Sequence, residues 1–173
     1  AIVIGSMGNI RRPKGYDVLL HAAAQLVSHS PQYKFLIAGD ASGRLYEELL
    51  QLRERLGLTR HVFFLGFRAD VAGVLNNFDI FLLSSTSEGF SIATIEAMAC
   101  GLPVVVTRSG GPEEIVTDQV DGLLVDPSSP AQIAAALQSI ATDLRLRQRL
   151  ARQARATVSA KFSVQAMIDA YQD

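Results

Sequence analysis

The residues best suited to chemistry in this chain lie in one run, Ser84-Ser85-Thr86-Ser87-Glu88-Gly89-Phe90-Ser91-Ile92-Ala93-Thr94-Ile95-Glu96-Ala97-Met98-Ala99. The apolar stretch before it, Ile80 to Leu83, reads as a buried strand, and the segment from Ile92 has helical periodicity. A strand that empties through a glycine-bearing loop into a helix N-terminus suits a phosphate group. The unpaired N–H groups of the first turn and the positive end of the helix dipole both point there. Glu88 and Glu96 bracket that helix start with seven residues between them. A phosphate repels carboxylates, so each glutamate needs a neutral donor opposite it. Sugar hydroxyls fit, because a carboxylate accepts from two vicinal OH groups. The expected ligand is a sugar–diphosphate–nucleoside. A rise of about 1.5 Å per residue sets the two carboxylates on the order of 10 Å apart. That resembles an inverting hydrolase pair, but such carboxylates flank a bond from opposite sides and these hang from one wall.

A second cluster follows the first strand, in Gly5-Ser6-Met7-Gly8-Asn9-Ile10-Arg11-Arg12-Pro13-Lys14-Gly15. It is not a dinucleotide fingerprint, since the third glycine is missing. It offers Gly5 and Gly8 for close backbone approach and three cations, Arg11, Arg12 and Lys14. Its alternative reading is a solvated basic loop. Gly39-Asp40 reads as a turn in which Asp40 or Ser42 caps the next helix, or as a place where a ligand lies against Gly39. Gly66-Phe67-Arg68 repeats a glycine at a strand exit, with Phe67 open between core and surface. Gly110-Gly111-Pro112 reads equally as a helix start and as a flexible pair beside the ligand. Asp121-Gly122 and Asp126-Pro127 read as turn punctuation.

The elements that position these residues alternate. Strands are expected at Ile2–Gly5, Lys34–Ala38, Val62–Leu65, Ile80–Leu83, Val104–Thr107 and Leu123–Val125. Helices are expected near Tyr16–His29, Gly43–Leu56, Val71–Asn76, Ile92–Ala99, Pro112–Thr117 and Pro130–Asp143. Strands apolar on both faces, separated by helices, argue for an α/β fold with a doubly wound, mostly parallel sheet of about six strands. Right-handed crossovers bring every strand C-terminus to one edge. The tail from Asp143 to Phe162 sets Arg145, Arg147, Arg149, Arg152, Arg155 and Lys161 against a stripe of Leu146, Leu150, Ala154 and Val158. It is expected to dock that stripe on its own domain, with a membrane-surface helix as the alternative.

The 173 residues make one domain with room for a substantial core. The net charge of −1 gives no general reason to expect nucleic acid or an anionic membrane as partner. The single Cys100 rules out an internal disulfide framework and suits a reducing compartment. One Cys and three scattered His show no metal-ligand spacing. The chain opens on a strand already under way, which leads us to expect a piece of a longer protein.

The residues Glu88-Gly89-Phe90-Ser91 with Glu96-Ala97-Met98-Ala99, then Gly101-Leu102-Pro103-Val104-Val105, Gly110-Gly111 and Glu114, resemble the retaining glycosyltransferases of family 4. The resemblance covers essentially the whole chain. It implies the C-terminal, nucleotide-sugar-binding half of a two-domain GT-B fold, Rossmann-like, with residues 1–173 as a single domain and the N-terminal acceptor domain absent. It further implies Glu88 on the donor sugar, Glu96 on the ribose and Lys14 on the diphosphate, so that Glu88 and Lys14 are the expected catalytic residues. Backbone N–H groups around Gly89, Phe90, Ser91 and Ile92 would hold sugar and phosphate, and Gly66 with Arg68 would lie beside the base. Gly8, Asn9, Arg11 and Arg12 complete the expected donor-binding set. The family has an arginine where this chain has Asn9, and Arg11 and Arg12 are the cations near enough to replace it. Neither a cofactor nor a metal ion is expected. The working compartment is expected to be the cytoplasm, with peripheral membrane contact of the full-length enzyme allowed for. The readings set beside transfer are a sugar-nucleotide epimerase or hydrolase of the same architecture, and a non-catalytic nucleotide-sugar-binding module.

Overall fold

The computed structural model describes residues 1–162 and 168. Six strands form one parallel sheet: β1 Ile2–Met7, β2 Tyr33–Ala38, β3 Val62–Gly66, β4 Ile80–Leu83, β5 Val104–Thr107 and β6 Leu123–Val125. The helices are α1 Tyr16–His29, α2 Gly43–Arg55, α3 Val71–Leu75, α4 Ile92–Ala99, α5 Pro112–Ile115, α6 Pro130–Thr142 and α7 Leu144–Lys161. The sheet order is β3-β2-β1-β4-β5-β6. The chain therefore winds outward one way from β1 and then the other way from β4, as a doubly wound fold does.

All four residues of β4 and of β5 are buried, because helices cover both faces of the central strands. One cluster packs Leu19, Leu20 and Ala23 of α1 against Ile133 and Leu137 of α6. The other packs Leu75, Met98, Ile115 and Val158 against Phe81, Val104 and Val106. Helix α7 serves both, with Leu150 in the first cluster and Ala154 and Val158 in the second. Its stripe docks on its own domain.

Element boundaries differ from the periodicity in small, explicable ways. Strand β1 runs on to Met7, since Ser6 and Met7 still pair with Ile37 and Ala38. Helix α5 stops at Ile115 rather than Thr117, whose N–H donates instead to Asp121 Oδ1 at 2.7 Å. A single 3-10 turn, Arg12–Lys14, sits inside the first loop, where Pro13 sets the turn.

Candidate functional site

Parallel doubly wound sheets open a crevice where the winding reverses, because neighbouring strands send their chains to opposite faces. Here the reversal lies between β1 and β4. The loop after β1 leads to α1 on one face and the loop after β4 leads to α4 on the other. Both expected clusters therefore emerge at the switch point.

The two loops are stitched together. Lys14 Nζ donates to both Glu88 oxygens, at 2.9 Å to Oε2 and 3.1 Å to Oε1. Ser85 Oγ donates to the same Oε2 at 2.7 Å. Ser84 Oγ donates to the Lys14 carbonyl at 3.0 Å, and Thr86 N–H to the Pro13 carbonyl at 2.8 Å. Gly15 begins α1 at φ 64°, a left-handed conformation, with the Ser84 carbonyl packed where a side chain would stand. The ion pair is largely sheltered, its side chains 25% and 13% exposed.

A third loop holds Glu88 from behind. Its N–H donates to the Ser109 carbonyl at 3.0 Å, and its carbonyl accepts from Gly111 N–H at 3.1 Å. A Cβ on Gly111 would overlap the Gly89 carbonyl oxygen, so the Gly110-Gly111 pair has a packing role next to this loop. Ser91 is the N-cap of α4, its Oγ accepting from Thr94 N–H. Among the described residues, the N–H groups of Gly89, Phe90 and Ser91 donate to no protein acceptor. They form a run of unused donors immediately after Glu88, the partner of Lys14, in the chain. Such a row, at a helix N-terminus, suits an anion.

Other expected residues fall into two further places. Gly8, Asn9 and Arg68 line an apolar cavity of about 220 Å³ with Met7, Ala38, Gly39, Phe67, Val71 and Ala93. Phe67 is surface rather than core, at 73% exposed, and forms one wall of this cavity. Gly66 ends β3 at φ 72° and accepts Gly39 N–H through its carbonyl. Glu96 is half-buried on the turn of α4 after Ala93, with no ion pair among the described residues. Phe90 packs its ring 5.9 Å from that of Phe162 at the end of α7, and Ile92 is exposed.

Arg11 and Arg12 do not join the Lys14–Glu88 pair. They line a separate groove with α1 and α2, where Arg12 pairs with Glu48 at 3.3 Å. Asn9 has a role of its own, its Oδ1 accepting from Asp40 N–H at 2.9 Å and tying the β1 loop to the β2 exit. Ser42 sits at the N-cap of α2 without a side-chain capping bond. Among the described residues there is no group of three His, Cys, Asp or Glu that would hold a metal ion.

Tyr16 was missed by sequence reasoning. Its hydroxyl donates to the Gly8 carbonyl at 2.6 Å and fixes the loop under the cavity. Burial pushes its phenol well above the usual range, and the nearby Glu88 carboxylate adds to this, against a lowering contact with Ser6. The only signal in the sequence was a tyrosine opening a helix next to the basic loop. Asp121 is likewise more than turn punctuation. It is 2% exposed and accepts from Thr157 Oγ1 of α7 at 2.7 Å.

Comparison with known proteins agrees with the fold. A family model described as glycosyl transferases group 1 matches residues 1–157. The D-inositol 3-phosphate glycosyltransferase of Corynebacterium jeikeium is 39% identical over 97% of this chain and 42% of its own length. Among solved structures, HepE of Anabaena in complex with UDP and glucose superposes with a TM-score of 0.92. It is 33% identical, over 99% of this chain and 47% of that one. The C-terminal domain of a glycosyl transferase group 1 family protein, LpcC of Francisella tularensis, superposes at 0.87 with 32% identity, over 95% of this chain and 87% of that one. The chain spans about half the length of the curated relatives it matches.

Proposed function

This chain belongs to the glycosyl transferases group 1 family, and from that premise we propose that it is the donor-binding half of a retaining, family 4 glycosyltransferase. The observation that carries the reading is the Lys14–Glu88 pair at the switch point, followed directly in the chain by the unused N–H groups of Gly89 to Ser91. A nucleotide-diphosphate sugar lies across it. The diphosphate takes Lys14 and those N–H groups, the sugar hydroxyls take Glu88, and the ribose takes Glu96. The base enters the cavity walled by Phe67 and Arg68. The binding of UDP and glucose by HepE, a structural neighbour, supports a donor of this class.

In the reaction, the bond between the anomeric carbon and the β-phosphate oxygen breaks, and the electron pair leaves on the diphosphate. The acceptor oxygen bonds the anomeric carbon on the same face and gives up its proton to the departing diphosphate oxygen. Charge grows on the leaving oxygen as that bond stretches, so a preorganised ammonium and backbone donors stabilise the transition state more than the ground state. Lys14 and the α4 N-terminus supply that charge without a resident metal or cofactor. The acceptor belongs to the other half of the full-length chain, and the isolated half binds donor while transferring little or no sugar. We place the enzyme in the cytoplasm, a reading the lone thiol of Cys100 supports.

Calorimetric titration with UDP, GDP and ADP and their glucose conjugates, in metal-free buffer, tests the reading. Saturable binding in one nucleotide series is expected. Binding in none of them overturns it.

A further inference from the structure

The net charge of −1 averages over a strongly polarised molecule. Helix α7 carries Arg145, Arg147, Arg149, Arg152, Arg155 and Lys161 and no acidic residue, leaving ten basic against seventeen acidic residues elsewhere. Its buried stripe is Leu150, Ala154 and Val158. At about 100° per residue, Arg145, Arg149, Arg152 and Arg155 fall within an arc of roughly 120° on the opposite side. All four are exposed. Among the described residues none of them forms an ion pair, and Arg149 alone makes a side-chain bond, to the Gln119 carbonyl at 2.9 Å.

This face is electrostatically unfavourable to the fold that carries it. Arg145 and Arg149 stand four residues apart and Arg149 and Arg152 three, spacings at which like charges repel. Arg145, Arg149 and Arg152 also line one surface depression, in which the one carboxylate, Asp143, accepts from Leu146 N–H as the helix cap. A row of four cations that one neighbouring carboxylate does not balance is relieved by an external anionic surface. Two apolar side chains lie at the same end of the helix. Leu144, its first residue, is 55% exposed, and Val120, next to the Gln119 carbonyl that holds Arg149, is 48% exposed.

We propose that the outer face of α7 docks the protein on an anionic bilayer surface. Lipid headgroups neutralise the arginines, while Leu144 and Val120 enter the headgroup–acyl boundary. The geometry favours a bilayer over nucleic acid for two reasons. A helix of 18 residues is about 27 Å long and lies on a plane with one face down. It also carries no aromatic side chain on which a base would stack. The proposal is independent of the donor-site reading, since none of its residues lies at the switch point.

The test is co-sedimentation of the 173-residue chain with vesicles at low salt. Binding to mixed phosphatidylglycerol–phosphatidylcholine vesicles, and not to phosphatidylcholine alone, is expected. Each arginine near an anionic surface contributes about fivefold in partitioning. The variant Arg145→Gln/Arg152→Gln/Arg155→Gln, which spares the Arg149 bond, is therefore expected to bind roughly a hundredfold more weakly while keeping its circular dichroism melt. A charge-matched control, Arg44→Gln/Arg55→Gln/Arg60→Gln, is expected to lose several-fold at most. Leu144→Ser is expected to weaken vesicle binding and leave binding to single-stranded RNA unchanged. The proposal is overturned by absence of binding to the anionic vesicles, by equal losses in the two triple variants, or by tighter binding to RNA than to vesicles.

Discussion

Lys14 Nζ and Glu88 Oε2 lie 2.9 Å apart although they are 74 positions apart in the chain. Each is the other's partner across the switch point, and each also has a proposed role toward the donor. An arriving diphosphate draws on the ammonium that Glu88 holds, and an arriving sugar offers Glu88 hydroxyls in exchange. The pair thus couples the two parts of the donor. A nucleotide without its sugar makes the Glu88 carboxylate share Lys14 with the phosphate and offers it no hydroxyl in exchange.

Replacing Lys14 with alanine removes the cation from the phosphate position. A hydrogen bond to a charged group contributes about 1.5–3 kcal/mol, so binding of the bare nucleoside diphosphate should weaken by roughly ten- to a hundredfold in calorimetry. The variant also leaves Glu88 without its counter-charge. Because Lys14 remains partly exposed, the stability loss should be modest, on the order of 1 kcal/mol in a urea melt. Unchanged nucleotide affinity would remove Lys14 from the site.

Glu88→Gln keeps the shape and removes the charge. Affinity for the sugar nucleotide should fall about tenfold, whereas affinity for the bare nucleotide should hold or rise, because a repulsion has been taken away. The ratio of the two dissociation constants is the readout. Equal weakening of both ligands contradicts a sugar-facing Glu88.

Tyr16→Phe deletes the bond to the half-buried Gly8 carbonyl, a cost of about 0.5–1.5 kcal/mol. The wild-type phenol adds a pH signature. Its native pKa is raised above its ordinary value of about 10, so its contribution is fully present below pH 10. Above that the unfolded state releases the proton first, and stability falls by about 1.4 kcal/mol per pH unit toward the native value. Urea melts between pH 9 and pH 11 should show this decline steeper in the wild type than in Tyr16→Phe.

Gly111→Ala tests the wall behind Glu88. Gly111 has ordinary helical torsions, φ −57° and ψ −39°, so alanine strains nothing in its own backbone. The added methyl group meets the Gly89 carbonyl and must push the loop away. We expect overpacking of about 1–3 kcal/mol in a thermal melt, with a loss of donor affinity larger than in the neighbouring Gly110→Ala. The comparison is pointed because Gly110, at φ 120°, carries the opposite fault, backbone strain with less crowding. Equal donor affinity in wild type and Gly111→Ala would mean that this wall does not position the Gly89–Ser91 donors.

The sequence by itself determined the sheet, its helices and the neighbourhood of the site. Apolar runs such as Ile80–Leu83 and Val104–Thr107, with nothing polar to alternate, had no stable place except between two helical layers. Glycine at the strand exits and the Glu88 to Glu96 block marked the edge where a ligand lies. These are local properties, written in spacing along the chain. The pairings were not local. Whether Lys14, Arg11 or Arg12 would meet Glu88 depended on a short turn, Arg12–Lys14, that rotates successive side chains by about 120°. That rotation sent Lys14 to Glu88 and Arg12 to Glu48. Asn9 was legible only as a missing arginine, yet it ties two loops through Asp40. Tyr16 beneath Gly8, and Asp121 beneath Thr157, were invisible for the same reason. A hydrogen bond between residues far apart in the chain is decided by which strands become neighbours, and only the packed sheet sets β1 beside β4.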